Sequence, residues 1–411
     1  MASTIAFFPV GNGDMTLIVL GDEAAARVLI DCNIRAAADD PDDETRDVAQ
    51  DLRDRLKRDS RGRPYVDVFV SSHPDQDHCR GIREHFYLGD PDDYPDDKKP
   101  DNEKRILIRQ LWSSPIVYRR ASKDHALTPD AKALNSEAKR RVQVARGKQF
   151  TGVQDGDRIL ILGEDENGKT DDLGPILIKV DQDISTINGI KSSIFKARLL
   201  APLPISEDEC EGEEIGKNHS SVILNIELAD DSSRKTVKKF LTAGDAEVLI
   251  WEKLWEKHKN VASILEYDLL QTPHHCSWHS LSRDSRKDLG DKAKVSKDAK
   301  SALSQIRSGG TIVASSCPIK DDDNDPPCYA AKLEYESITK SAKGEFLCTG
   351  AYPTESKAAP LEFVVRDQKL VKSARQVTGA PAILTAPLVD RIGQRGAEAE
   401  AVTKGGNSRY A

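Results

Sequence analysis

Long apolar runs are missing from this chain. No stretch approaches the roughly 18 apolar residues that a membrane-spanning helix needs, which excludes that class of segment. The first residues, "MASTIAFFPVGNGD", carry no basic segment ahead of a cleavable apolar stretch, so no signal peptide is expected and their alternation reads as a first strand. Cysteine is present but unpatterned: Cys32, Cys79, Cys210, Cys276, Cys317, Cys328 and Cys348 form no CxxC pair. An odd, scattered set reads as reduced thiols, and a cytoplasmic protein is expected. Aromatic residues make up only 5%, which leaves no base-stacking platform of the kind single-strand binders use. Positive charge is short as well. A net charge of −8 argues against coating nucleic acid by bulk electrostatics, although not against a local basic patch. No internal repeat is visible.

What is there suits one large decorated domain or two smaller ones: 411 residues, 38% hydrophobic and 31% charged. Residues 4–10, 15–20 and 27–33 read as strands separated by Gly and Asp turns. Val48, Leu52 and Leu56 recur at spacing four and predict an amphipathic helix over 43–59. "VDVFVSS" (66–72) is nearly continuous in apolar character, as expected of a strand covered on both faces, and it ends at His73. Residues 90–103 read as a loop too polar and proline-rich to pack. A helix is expected over 129–148, and strands over 158–162, 175–180, 194–201, 221–228 and 236–245. A helix over 246–258, a strand over 267–273, a charged segment at 282–300, a strand over 311–316 and a helix over 328–341 complete the order. Two blocks of strands, each flanked by helices, suggest two packed sheets with helices outside. One domain over 1–372 is expected, with polar inserts at about 90–150 and 282–308, then a loose tail over 373–411.

Three strand ends carry metal-ligand chemistry. "SSHPDQDH" (71–78) sets His73, Asp75, Asp77 and His78 in one loop, and imidazole with carboxylate suits Zn, Mn or Fe. "TPHHCSWHS" (272–280) places His274 and His275 after another apolar strand, where each needs a partner if buried. "FLTAGDAE" (240–247) ends a third strand at Asp245. Loops at strand ends can converge on one edge of a layered sheet, so the three read together as one site.

In order and approximate spacing, "PVGNGD" (9–14), "VLIDCN" (28–33), "SSHPDQDH", "NHSSVIL" (218–224), "FLTAGD" and "TPHHCS" resemble the metallo-β-lactamase fold hydrolases. The chain is most similar to the ComEC-like soluble metallohydrolase domain, over roughly residues 1–350. The resemblance implies an α/β fold, specifically a four-layer αββα sandwich, with two divalent ions, Zn or Mn, at one sheet edge. It implies His73 and Asp75 for a first ion, Asp77 and His78 for a second, Asp245 bridging both, and His274 or His275 completing the second. Asp31, and with it Asp14, would orient ligands through hydrogen bonds. His219 stands where the wider family carries a metal-binding histidine and is proposed as a ligand of the first ion. Cys276 replaces a glycine of the family's "HHGS", and the family's late "GHP" histidine is absent near "DPPCY" (325–329).

The implied activity is that of a metal-dependent hydrolase, foremost a phosphodiesterase or nuclease acting on DNA, with water activated between the ions and Asp77 or Asp245 orienting it. Lys139, Arg140, Arg141 and Arg146 cluster within the 129–148 helix and are candidates for substrate binding. A small-molecule hydrolase acting on a cyclic nucleotide or lactone is the second reading; a non-catalytic interaction protein is the third. The inserts are where a protein partner would dock, and no membrane association is expected.

Overall fold

Alternating apolar residues broken by Gly and Asp turns fold the N-terminus into an antiparallel meander. In the computed structural model, which describes residues 2–36, 45–124, 126–204, 218–230, 233–366 and 369–373, β1 (Ser3–Phe7), β2 (Thr16–Val19) and β3 (Arg27–Ile30) pair in sequence order. Next to β3, and parallel to one another, run β4 (Pro64–Val70), β5 (Ile106–Ser113) and β6 (Arg158–Leu162). All seven residues of β4 are buried, as its continuous apolar run requires.

A second sheet starts antiparallel, with β7 (Phe195–Ala201), β8 (Ile223–Ala229) and β9 (Val237–Leu241). It continues parallel through β10 (Tyr267–Gln271), β11 (Ile306–Ala314) and β12 (Glu345–Cys348). The chain then returns to the first sheet. There β13 (Leu361–Arg366) pairs with β1, Phe363 opposite Ile5, and β14 (Lys369–Lys372) adds an edge.

Three apolar clusters hold this mixed α/β arrangement together. One contains the facing residues of both sheets: Phe7 meets Phe240 and Phe363 edge-on, with centroids 5.5 and 6.1 Å apart. A second lies on the outer face of the first sheet, where Leu29, Phe69 and Ile108 meet Leu52 of α1 (Val48–Arg53). The same cluster takes in Leu134 of α3 (Pro129–Gly147), the helix that follows α2 (Pro115–Asp124). A third joins Leu270 and Ile312 to Trp251, Leu303 and Tyr335. Those three come from α4 (Val248–His258), α5 (Lys297–Leu303) and α6 (Tyr329–Ser341). Each such buried Leu or Phe stabilises the fold by about 2 kcal/mol.

Several sequence expectations change. The 43–59 helix shrinks to α1, because Lys57–Arg58 turns back to pair with Pro64 and Tyr65. The 175–180 strand shortens to Leu177–Ile178. Residues 90–103 do pack: Tyr94 is buried beneath the Arg63 guanidinium, and buried Asp96 binds Arg105. Those charged neighbours satisfy a segment that looked too polar to fold. The tail expected over 373–411 lies, apart from Ser373, outside the described residues. Among the described residues no helix is long and apolar enough to cross a membrane.

Candidate metal centre

Parallel strands send their C-terminal loops to the same side, so β3, β4, β9, β10 and β11 deliver Asp31, the 71–78 loop, Asp245, the His274–His275 pair and Ser315 to one region. Close backbone contacts lock these loops. The Asp14 amide donates to the Asp77 carbonyl (3.1 Å), and a Cβ on Gly13 would come within 2.0 Å of Asn33 Nδ2 and 2.7 Å of that same carbonyl. The glycine of "PVGNGD" is there so that the ligand loop can pass this closely.

Four side-chain atoms then converge. His78 Nε2 lies 3.2 Å from His275 Nε2 and 3.0 Å from Asp245 Oδ1. His275 Nε2 lies 3.2 Å from Asp77 Oδ2 and 3.4 Å from Asp245 Oδ1. The other nitrogen of each ring is already committed. His78 Nδ1 faces the Asp31 carboxylate at 2.8 Å, and His275 Nδ1 faces the Ser315 carbonyl at 3.1 Å and Asp14 Oδ1 at 3.4 Å. Those partners only accept, so each Nδ1 carries a proton and each Nε2 is turned toward two carboxylate oxygens. With the Nε2 protons displaced, the four atoms are all acceptors and could hold a cation between them.

The donor atoms of Asp77, His78, Asp245 and His275 all lie within 4.8 Å of one another, close to the span that ligands about 2.0–2.3 Å from one ion can reach. A second such group joins His73 and Asp75 to the same Asp245, with His73 Nε2 3.2 Å from Asp245 Oδ2. Asp245 therefore turns one oxygen to each group, as expected of a bridging carboxylate. Buried His73 Nε2 and Asp245 Oδ1 make no hydrogen bond among the described residues, which is the other mark of atoms reserved for an ion. The residues fit a pair of divalent cations.

Without an ion, the same carboxylates draw protons onto the imidazoles, and a bound cation would displace those protons. Burial works against charge on both imidazoles, yet Asp245 and Asp31 raise His78 well above the ordinary histidine range, and Asp245, Asp14 and Asp77 push His275 up to about 10. Burial likewise works against charge on Asp77 and Asp245, yet the surrounding histidines hold both carboxyls well below their usual range. Both remain anionic at neutral pH.

The sequence left open which of the adjacent histidines joins the second group; geometrically it is His275. His274 reaches the other side of Asp245, its Nε2 3.6 Å from the Oδ2 that His73 also approaches. His219 is not gathered into either group. Its Nε2 lies 3.5 Å from Glu247, because Asn218 anchors that turn to the same carboxylate at 2.9 Å. Backbone strain accompanies the histidine pair: His274, His275 and Cys276 take successive φ values of 49°, 52° and 72°. The left-handed Cys276 explains why a glycine is compatible with this position in the family pattern.

Three supporting residues escaped sequence reading. Ser72 donates its hydroxyl to Asp31, Ser221 Oγ receives the Asp245 amide, and Glu247 stands 3.9 Å from His274 Nδ1. Only their positions beside motif residues hinted at them.

The basic helix face is corrected. Arg141 is 1% exposed, bound to Glu137 and to the Ile108 and Arg158 carbonyls. Arg140 pairs with Glu137 and Asp157, and Arg146 with Asp172. At 100° per residue these side chains point in different directions, and α3 uses them to bind its own sheet and loops. Lys139 stays exposed.

No protein-family model and no curated protein matches the chain. Among solved structures, Igni18, a novel metallo hydrolase from the hyperthermophilic archaeon Ignicoccus hospitalis, is similar over 88% of this chain and 99% of that one, at 10% identity and a TM-score of 0.35. So loose a likeness names no family, and the assignment rests on side-chain geometry.

Proposed function

We propose that this protein is a two-metal hydrolase acting on phosphodiesters, with the metallo-β-lactamase type of αββα layering as its scaffold. The observation that carries this is the convergence of four ligand-type atoms from two sheets, with both Nδ1 atoms committed to Asp31 and Ser315. His78, His275, Asp77 and Asp245 would hold one ion. His73, Asp75 and Asp245 would hold the other, with His274 in the place that the sequence suggested for His219. Mixed imidazole and carboxylate sets suit Zn or Mn.

Such ions supply Lewis acidity and lower the pKa of water within their reach. The chain's own residues do the rest. Asp31 and Asp14 keep the two Nδ1 protons in place, so both Nε2 atoms stay available. Asp245 is almost fully buried and cannot leave its position between the two groups. The Asp77 side chain is 31% exposed and lines the mouth with Asp75 and Gln76, so its carboxylate can orient an incoming water by accepting its hydrogen bond.

DNA as the substrate has lost its electrostatic support in α3, where three of the four candidate cations are neutralised internally. Small diesters are therefore favoured over a polymer. Metal content of the purified protein, beside the Asp77→Ala/His78→Ala double variant, tests the proposal together with cleavage of bis-(p-nitrophenyl) phosphate and of linear DNA. About two ions per chain, and cleavage abolished in the variant, are expected. Absence of bound metal, with both substrates processed equally by the two proteins, would sink it.

A further inference from the structure

Beside the metal loops, α2, α3 and the 161–173 segment border an open cleft of about 560 Å³, within the range of small-molecule sites. Part of its wall is apolar, formed by Tyr118, Leu127, Val142, Ile161 and Leu173, and the rest is polar or charged. Two features connect it to the proposed centre. Leu127 lines both this cavity and the smaller one whose wall holds Asp75 and Asp77. The Tyr118 hydroxyl lies 3.4 Å from Ser71 Oγ, at the start of the ligand loop.

The charges around the cavity are of two kinds. Arg119 and Arg146 bind Asp165 and Asp172 and shape its edge. Lys139 and Lys169 line it and have no carboxylate partner among the described residues. Lys139, Val142 and Arg146 recur at i, i+3 and i+7, so one stripe of α3 faces the cavity while Arg141 turns into the protein.

We propose that this cleft is the substrate's second subsite, holding the body of a nucleotide-sized organic phosphodiester. It would take the apolar part of that molecule against Tyr118, Leu127 and Val142, and an anionic group at Lys139 and Lys169. The scissile phosphate would then lie toward Asp75 and Asp77. Only this last placement rests on the two-metal assignment. A partly apolar cleft of this size with two ammonium groups that have no carboxylate partner among the described residues gives one molecule both burial and charge, whereas a polymer needs an extended row of open cations.

The probe is the p-nitrophenyl ester of thymidine 5′-phosphate, with inorganic phosphate for comparison, its binding measured by calorimetry on the full chain. Val142→Trp fills the cleft, and Lys139→Glu/Lys169→Glu reverses its charge at exposed positions that fold tolerates. The ester is expected to bind more tightly than inorganic phosphate. Val142→Trp should weaken it about tenfold or more, and the charge reversal about fivefold at low salt. Both variants should keep the wild-type metal stoichiometry, read by elemental analysis. Ester affinity equal in all three proteins, or no better than that of phosphate, would overturn the subsite. Weakened ester binding in a protein that never takes up metal would support the subsite and refute the two-metal assignment.

Discussion

Asp31 lies outside the two proposed ligand groups but holds His78, and the centre depends on it. Its left-handed backbone (φ 56°) aims the carboxylate at the Ser72 amide, the Ser72 hydroxyl and His78 Nδ1. An asparagine could offer its amide N–H to His78 and force the proton onto Nε2. Asp31→Asn is therefore expected to lower affinity at the second ion site by about 10- to 100-fold, as outer hydrogen-bond partners typically do. Competitive chelator titration measures this, and an affinity within threefold of wild type would contradict it. His85 makes a separate residue-scale test. Burial and the neighbouring Arg53, which lies 3.2 Å from its Nδ1, hold its pKa down at about 4. The unfolded chain takes up this proton first as pH falls, so stability present above about 6.5 is lost between 6.5 and 4. Relative to His85→Gln, the wild type should lose on the order of 3 kcal/mol more across that interval, by denaturant unfolding. Parallel pH slopes in the two proteins would refute it.

Elements matter through where they end. Every proposed ligand loop follows a strand, and the N-terminal meander contributes by pressing Gly13 against the Asp77 carbonyl. Gly13→Ala should cost about 2 kcal/mol and weaken the second ion site, because the added carbon can be housed only by moving Asn33 or the ligand loop. A variant with unchanged melting temperature and metal affinity would show that the approach is not constrained. The helix α3 starts as its sequence says it should: Thr128 Oγ accepts the Ala131 amide, Pro129 occupies the first turn, and Asp130 adds negative charge there. Its interior departs from the single basic face that composition suggests, because helical periodicity spreads the cations around the axis. Arg140 and Arg141 are successive in sequence and share Glu137, but their other bonds diverge, to Asp157 and to the Ile108 carbonyl.

At the scale of the molecule, the centre joins two sheets. His73, Asp75, Asp77 and His78 come from the first, and Asp245, His274 and His275 from the second. Ions bound there would cross-link the sheets, so saturating metal should raise the melting temperature and chelator should lower it. At 100 times the dissociation constant, each ion contributes about 2.7 kcal/mol. Asp245→Asn should remove most of that gain, as scanning calorimetry with and without Zn or Mn would read. An equal metal-induced shift in the variant would place the ions elsewhere.

The sequence by itself determined the local chemistry: which strands are buried on both faces, where they stop, and that His73, Asp75, Asp77, His78, Asp245 and the His274–His275 pair stand at those stops. Spacing along one chain suffices for that, since strand and helix periods are local properties. Tertiary structure decided what depends on partners distant in sequence. It brought β13 to β1, chose His275 over His274 for the four-donor group, left His219 beside Glu247, tied Arg140 and Arg141 of α3 to Glu137, and paired Arg146 with Asp172 at the surface. Each of those outcomes is settled by which carboxylate or carbonyl arrives from another element, and no spacing within the chain records that arrival.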